Sequence, residues 1–171
     1  MRARRPGRRG FPTRQAYVAG WATHPRVTPS VTEHTDDVEA IVAEYRNAWG
    51  DRAYDEIPAL VADSFVLYDS VAPGGAVHGP DELTSFMRSL QAGFPDLAST
   101  MHAALSSDGL LLCETTVTGT HEGTFDGHAP TGRTFEVRAL EKFRVGDGRL
   151  VEHRVCFDPA TFRDQLGFDD G

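Results

Sequence analysis

A single carboxylate on an otherwise apolar strand face is the feature of this sequence that most suggests chemistry. In residues 135–145, the side chains on one face of the predicted strand are apolar apart from Glu141. The opposite face carries Glu136, Arg138, Leu140, Lys142 and Arg144. Burial disfavours the charged form of a carboxyl and raises its pKa, which suits a general acid or base. The pattern therefore predicts Glu141 as a catalytic residue, and the alternative is a buried structural ion pair.

A histidine on the next predicted strand can act with this carboxylate. His153 lies on the more apolar face of residues 149–158, and the short Gly-Asp-Gly turn at 146–148 places this strand beside that of Glu141. A carboxylate next to an imidazole sets its tautomer and its basicity. His153 is therefore a second catalytic candidate, and the alternative is a core histidine with satisfied hydrogen bonds.

Two adjacent polar residues, Tyr68 and Asp69, end the first predicted strand. Successive side chains of a strand point to opposite faces, so only one of the two can enter a pocket. We favour Asp69 as the inward residue and as the third catalytic candidate. The alternative for Asp69 is a solvated strand end.

Further polar and aromatic residues are candidates for binding a substrate. His121 either lines the pocket or forms a hydrogen bond with the turn that follows it, and Asp158 either reaches the pocket mouth or caps the last helix. Trp49 lies on the apolar face of the first predicted helix, where packing in the core is the more usual role. The candidate substrate-binding residues are Tyr68, His121, Asp158 and Trp49.

The stretch HEGTFDGHAPTGR, residues 121–133, is rich in histidine and glycine but matches no metal or phosphate motif. His121 and His128 are seven residues apart across a glycine loop, unlike the spacings typical of zinc ligands. The GHAPTGR segment lacks the lysine of a phosphate-binding loop and does not open a predicted helix. We therefore expect no metal and no cofactor, and we predict a long connection between two strands.

The surrounding patterns predict an α+β fold. Apolar residues recur at helical spacing from Thr35 to Gly50 and in residues 81–94, and a second short helix is predicted at 54–61. Strands are predicted at 64–70, 98–105, 109–123, 134–145 and 149–158, with a last short helix at 159–168. Helices followed by consecutive strands predict a curved antiparallel sheet wrapped around the N-terminal helices. Such a sheet forms a cone with one open-ended pocket.

Length and charge limit the organisation and the partners. The 171 residues, 40% of them hydrophobic, suffice for one core. Residues 1–37 carry seven Arg, two Asp and one Glu, whereas the rest of the chain carries the excess of acid that makes the net charge −8. We predict an Arg-rich disordered or loosely packed tail over residues 1–34 and one domain over 35–171. An acidic domain argues against nucleic acid and anionic membrane as partners.

The chain shows no export or membrane-spanning pattern. The Arg-rich start has no apolar segment behind it, and no apolar run approaches the ~20 residues of a membrane span. Cys113 and Cys156 fall within predicted strands, where we expect small buried thiols. These features predict a cytoplasmic protein with reduced cysteines and no membrane partner.

Several short motifs together resemble the SnoaL-like polyketide cyclase family, within the nuclear transport factor 2-like superfamily. The resemblance covers about residues 38–168. Its motifs are Gly119-Thr120-His121, Gly123-Thr124-Phe125, Pro130-Thr131-Gly132-Arg133, Asp147-Gly148, Glu152-His153 and Asp158. Glu141 stands where family members often have Asp, and Arg154 replaces a frequent Trp.

The resemblance implies an activity and an assembly. Family cyclases close a ring by an intramolecular aldol condensation without cofactor or metal, using a pocket carboxylate assisted by a histidine. For this chain it implies acid–base catalysis on a small hydrophobic carbonyl compound, with Tyr68 or a histidine as donor to the enolate. It also implies a homodimer formed through the outer sheet face. The alternatives are a non-catalytic ligand-binding or dimerisation module, and an epoxide hydrolase-like or ketosteroid isomerase-like enzyme, with Asp158 as the second carboxylate for hydrolysis.

Overall fold

The computed structural model describes residues 35–168, and the predicted tail at 1–34 lies outside the described residues. Within this described range, four α-helices accompany six strands. The helices are α1 (Thr35–Asp51), α2 (Ile57–Leu60), α3 (Gly79–Gly93) and α4 (Pro159–Leu166). The strands are β1 (Val61–Tyr68), β2 (Ala76–His78), β3 (Ala98–Ser107), β4 (Leu110–Thr120), β5 (Thr134–Gly146) and β6 (Arg149–Cys156). The fold class is α+β, as predicted, and none of the described helices could cross a membrane.

The six strands form one open sheet in the order β2-β1-β6-β5-β4-β3. Neighbouring strands are antiparallel except β1 and β6, which are parallel. The sheet is therefore mixed rather than antiparallel as predicted, because the chain returns its last strand beside its first. Interruptions of the register occur in three strand pairs, and such irregularities increase the local twist of a sheet.

Strand β2 lies between the strand predicted at 64–70 and the helix predicted at 81–94, where the sequence pattern predicts no strand. Its three residues are too few to display an alternating pattern, and they are held by pairing with β1, where Val66 faces His78. The second helix, predicted at 54–61, agrees with the structure to within one residue but is not a continuous α-helix. It consists of a 3-10 turn at Tyr54–Glu56 followed by the single turn of α2, and β1 begins directly at Val61.

Helices α1 and α3 cover one face of the sheet and form the main core with it. Val38, Val42 and Tyr45 of α1 are buried, which confirms the helical face predicted from their spacing. The opposing inner sheet face contributes Phe65, Leu67, Leu111, Cys113, Phe143 and Leu150. Full burial of one such aliphatic or aromatic side chain contributes about 1.5–3 kcal/mol. Cys156, in contrast to the prediction, is exposed because it points to the outer face.

A second apolar cluster lies under the 121–133 connection. It consists of Phe94, Phe125, Phe135, Val137, Phe162, Leu166 and Phe168. The backbone amides of Glu122 and Gly123 both donate to the carbonyl of Gly93, at 3.0 Å each. The connection is thereby attached to the end of α3, whose last carbonyl groups have no partner within the helix.

Candidate functional site

A cavity of about 430 Å³ opens between the inner face of the sheet and helices α1 and α3. Most of its wall is apolar. The apolar wall includes Leu67, Leu90, Leu97, Val117, Phe143 and Val155. Three of the predicted catalytic residues, Asp69, Glu141 and His153, also line it. The cavity therefore combines an apolar surface with a small set of ionisable groups, as ligand sites in proteins commonly do.

Strand register brings Glu141 and His153 together. In β5 and β6, Glu141 faces Val155 and Phe143 faces His153, so the carboxylate and the imidazole are diagonal neighbours on the inner face. His153 Nε2 lies 3.0 Å from Glu141 Oε2. Thr115 on β4 approaches from the other side and donates its hydroxyl to Glu141 Oε1 at 2.6 Å.

Glu141 is 5% exposed, yet its carboxyl is held in the ionised form. Burial alone raises its pKa, but the hydrogen bond and charge of His153, the hydroxyl of Thr115 and the charge of Arg46 together outweigh burial. The pKa of Glu141 consequently lies below its ordinary value. Glu141 is thus a buried, compensated anion whose two oxygens already have partners.

Tyr45 completes a buried chain of polar groups behind Glu141. Its hydroxyl lies 3.3 Å from His153 Nδ1, and burial raises the pKa of this phenol well above its ordinary value. In the tautomer that carries its proton on Nε2, the imidazole accepts the Tyr45 hydroxyl at Nδ1 and donates to Glu141 Oε2. The two ring nitrogens of His153 are therefore both occupied by protein groups.

Asp69 occupies a different environment in the same cavity. It follows Leu67 by two residues and therefore points to the inner face, whereas Tyr68 pairs with Arg154 on the outer face. Asp69 Oδ1 accepts the backbone amide of Val71 at 3.0 Å, and none of the residues described donates a hydrogen bond to Oδ2. Burial raises the pKa of Asp69 above its ordinary value, and the Val71 amide offsets only part of that effect.

Arg46 belongs to the cavity wall but was not identified from the sequence. Its Nη1 lies 3.5 Å from Glu141 Oε2, and its Nη2 donates to the backbone oxygen and the hydroxyl of Ser99 at 3.2 and 3.1 Å. The signal available was its spacing of four residues from Val42, which places it at the edge of the buried face of α1. Thr115 was likewise missed as a partner of Glu141, although it shares the strand face of Cys113.

Trp49, the predicted substrate-binding aromatic, also lines the cavity. Its indole nitrogen is buried without a hydrogen-bond partner in the part of the chain that is described. Gln91 of α3 fixes this end of α1, because its Nε2 donates to the Trp49 carbonyl at 2.6 Å and its Oε1 accepts the Tyr54 hydroxyl at 2.5 Å. Trp49 is therefore both a core residue and a wall residue.

Three predicted substrate-binding residues lie outside the cavity wall. Tyr68 is on the outer face, with the Arg154 guanidinium 3.9 Å from its ring centre. His121 is fully buried in the second cluster, where its Nδ1 accepts the amide of Thr131 at 3.2 Å. Asp158 caps α4 by accepting the Ala160 amide at 3.0 Å. His121 therefore has the alternative role of bonding the turn that follows it, and Asp158 has the alternative role of capping the last helix.

Cys113 lacks the properties of a nucleophile, and His, Cys, Asp and Glu residues form no metal site within residues 35–168. Burial raises the pKa of Cys113, a group on the inner face, to about 11, so its thiol stays protonated. No group of three or more His, Cys, Asp or Glu residues in that range is placed to hold a metal ion. The ionisable groups of the cavity can therefore bind hydrogen-bonding ligands and move protons.

Comparison with known proteins identifies the fold. The SnoaL-like polyketide cyclase model matches residues 39–166. A SnoaL-like polyketide cyclase protein from Jannaschia sp. CCS1 superposes with a TM-score of 0.72 at 19% identity, over 81% of this chain and 97% of that chain. An LEH-like epoxide hydrolase from M. tuberculosis gives a TM-score of 0.62 at 20% identity, over 79% and 88%.

One similar structure has higher identity. IdmH from Streptomyces antibioticus, assigned as a polyketide cyclase, is 29% identical, with a TM-score of 0.63 over 76% of this chain and 98% of that chain. No significant match is found among curated protein sequences. The family model covers most of the domain, and the neighbours share its α+β architecture. The chain belongs to the SnoaL-like polyketide cyclase family.

Proposed function

We propose that this protein transfers a proton at a carbon next to the carbonyl group of a small, largely apolar compound, using the acid–base chemistry of its own side chains. One observation carries the proposal. Asp69 and the Glu141–His153 pair occupy a single cavity whose remaining wall is mostly apolar. Carboxyl groups in such settings have the altered basicity that proton transfer at neutral pH requires.

The two carboxyl groups have different roles in this proposal. Glu141 remains ionised and uses both oxygens to hold Thr115 and His153, so it is a poor proton acceptor. Asp69 keeps one oxygen available, and its raised pKa makes it the stronger base. When two titratable groups in one site have different environments and therefore different pKa values, one of them commonly serves as the acid or base and the other does not. Asp69 therefore abstracts the proton, and Glu141, expected from the sequence to be the base, orients His153.

The size and lining of the cavity support an apolar substrate. A volume of about 430 Å³ lies in the range of small-molecule sites, and leucine, valine and phenylalanine side chains form much of the wall. The similarity to IdmH supports ring closure as the reaction that consumes the enolate. In such a closure the enolate carbon attacks a second carbonyl group of the same molecule, and the new alkoxide takes up a proton.

The proton-transfer step can be measured without the natural substrate. The probe is 2-tetralone in D2O, with exchange of its α-protons followed by NMR. Wild-type protein should accelerate exchange, and Asp69→Asn should lose about 10²–10⁴-fold of the acceleration. Asp63→Asn, an exposed position on β1, the strand that leads into Asp69, is the matched control and should behave as wild type. Equal rates for wild type and Asp69→Asn, or for wild type and buffer, would refute the proposal.

Epoxide hydrolysis is the second candidate function. It needs two carboxyl groups near one water molecule, and the cavity supplies Asp69 and Glu141 in place of Asp158. The fold is shared with an LEH-like epoxide hydrolase. Diol formation from styrene oxide, without exchange of 2-tetralone, would favour this reaction over enolisation.

A further inference from the structure

Among the described residues of the cavity wall, Arg46 has a cationic group, its guanidinium, that the proposed proton transfer does not use. When Asp69 takes the α-proton, the carbon–hydrogen bond breaks and its electron pair moves onto the carbonyl oxygen. Negative charge therefore leaves the carboxylate and appears on the substrate. An enolate oxygen in an apolar cavity needs a fixed donor or cation beside it.

Among the other donors in the wall, those of Tyr45 and Gln91 are already engaged, whereas the amide of Asn47 is neutral and carries no charge to balance an oxyanion. The Tyr45 hydroxyl is directed at His153 Nδ1, and the Gln91 amide bonds Tyr54 and the carbonyl of Trp49. The Trp49 indole nitrogen is enclosed by protein atoms rather than lying on the cavity surface.

Arg46 retains donors that can face a ligand. A guanidinium has five N–H groups, and those of Nη2 are directed to Ser99. Nη1 is 3.5 Å from Glu141 Oε2, which is close enough for charge attraction but at the limit for a hydrogen bond. The side chain is 20% exposed, so its charge is largely enclosed at the cavity.

We propose that Arg46 is a catalytic residue whose guanidinium binds the substrate carbonyl oxygen and stabilises the enolate. The inference rests on the proposed function and specifies its substrate class, namely compounds whose conjugate base is a delocalised oxygen anion. The total charge of the cavity and its ligand is unchanged by the step, because the proton gained by Asp69 balances the charge gained by the substrate. Arg46 directs where that charge accumulates.

The test uses 4-nitrophenol, whose anion resembles an enolate and absorbs differently from the neutral phenol. Binding is measured at the pH where half of the free probe is ionised. Wild-type protein should bind mainly the phenolate, and Arg46→Gln should bind it about 10- to 100-fold more weakly and shift the bound probe towards the neutral phenol. Arg46→Lys should fall between them, because it keeps the charge but loses the planar fork.

Arg52 offers a matched control near the same helix. Its Nη2 donates to the Pro95 carbonyl at 2.6 Å, much as Arg46 does to Ser99, but Arg52 is not part of the cavity wall. Arg52→Gln should bind 4-nitrophenolate as wild type does. Circular dichroism and a thermal melt establish that each variant is folded.

Two outcomes separate this inference from the proposed function. If wild type and a folded Arg46→Gln bind the phenolate equally, or neither binds it, Arg46 is not the oxyanion donor, whereas 2-tetralone exchange by wild type would still support Asp69 as base. If phenolate binding depends on Arg46 but 2-tetralone does not exchange, the oxyanion site stands and the proton-transfer proposal fails.

Discussion

Thr115 illustrates, at the scale of single residues, how one hydroxyl helps to keep a buried carboxylate ionised. Its side chain is fully buried, and its hydroxyl donates to Glu141 Oε1 at 2.6 Å. A hydrogen bond to a charged group contributes more than one between neutral groups, because the charge would otherwise lose its solvation on burial. The geometry of the Glu141–His153 pair thus depends on Thr115, a neighbour that takes no part in the proposed proton transfer.

The isosteric substitution Thr115→Val should lower the free energy of unfolding by about 1–3 kcal/mol, because Glu141 loses a donor inside the protein. It should also raise the pKa of Glu141. Urea denaturation measures the first effect. Thr118→Val, on the outer face of the same strand, is the control and should stay within about 0.5 kcal/mol of wild type. Equal losses for both variants would show that the Thr115 hydroxyl contributes nothing specific.

His121 should make stability depend on pH. Burial is the main cause that holds its pKa below the ordinary value of 6.5. The unfolded chain then binds a proton that the folded chain does not, so stability falls as pH drops below about 6.5 towards the folded pKa. His121→Asn, which keeps an acceptor for the Thr131 amide, should lose less stability over this interval. Urea midpoints at about pH 7.5 and about pH 5.5 measure the difference.

The exposed His78 provides the comparison for His121. His78→Asn should keep the pH dependence of wild type, because it leaves His121 and its surroundings unchanged. If His121→Asn were as sensitive to acid as His78→Asn, burial of His121 would not be the origin of the effect.

At the scale of elements, the 121–133 connection is attached to α3 by backbone geometry. Gly123 lies against the carbonyl of Ala92, and a Cβ atom at this position would overlap the Ala92 oxygen. The absence of a side chain therefore allows the two amides at 122 and 123 to reach Gly93. The loop that separates β4 from β5 is positioned by a helix distant in sequence, over the cluster of phenylalanines.

Gly123→Ala should destabilise the protein by about 1–3 kcal/mol or more, because the added methyl group displaces backbone rather than a flexible side chain. Gly127 has a φ of +77° and open space around it, so Gly127→Ala should lower the free energy of unfolding by only about 1 kcal/mol, the strain of an alanine in that backbone conformation. Urea denaturation of both variants gives the comparison. A Gly123→Ala variant as stable as wild type would contradict the close packing of the connection on α3.

At the scale of the whole molecule, the outer sheet face carries apolar groups that a monomer leaves in water. Leu105, Leu112 and Leu140 are 79%, 46% and 65% exposed. The ion pairs Arg138–Glu114 and Lys142–Glu152, at 3.1 and 2.6 Å, lie on the same face, so the face carries both signs of charge. Such a face can complement a second copy of itself across a two-fold axis.

We therefore expect a homodimer formed through this face, including Glu136, Arg138, Leu140 and Lys142. Light scattering should give the mass of two chains for wild type and of one chain for Leu140→Glu, because the variant buries a charge at the contact. Ala43→Glu, on the exposed side of α1, is the control and should remain dimeric. A monomeric wild type, or a dimeric Leu140→Glu, would exclude this interface.

Local patterns in the sequence are sufficient to predict several features of the fold and of the candidate site. The spacing of Val38, Val42 and Tyr45 predicts a helix, and alternation along residues 135–145 places Glu141 on the inner face. Because a tight turn joins β5 to β6, His153 is predicted to lie near Glu141. In the structure, His153 Nε2 is 3.0 Å from Glu141 Oε2. These features depend on neighbours a few residues away, whose geometry is set by the period of a helix or strand.

Other features depend on contacts between segments that are distant in the chain, so they become visible only in the folded molecule. The parallel pairing of β1 with β6 brings Asp69 to the cavity, and packing of α1 on the sheet brings Arg46 to Glu141, 95 positions further along the chain. No periodic pattern encodes either approach, because each results from the way whole elements pack. Alternation along each strand is enough to predict which strand faces carry ionisable groups. The packing of α1 and β1 decided which of those groups share a cavity, and hence which carboxyl is free to accept a proton.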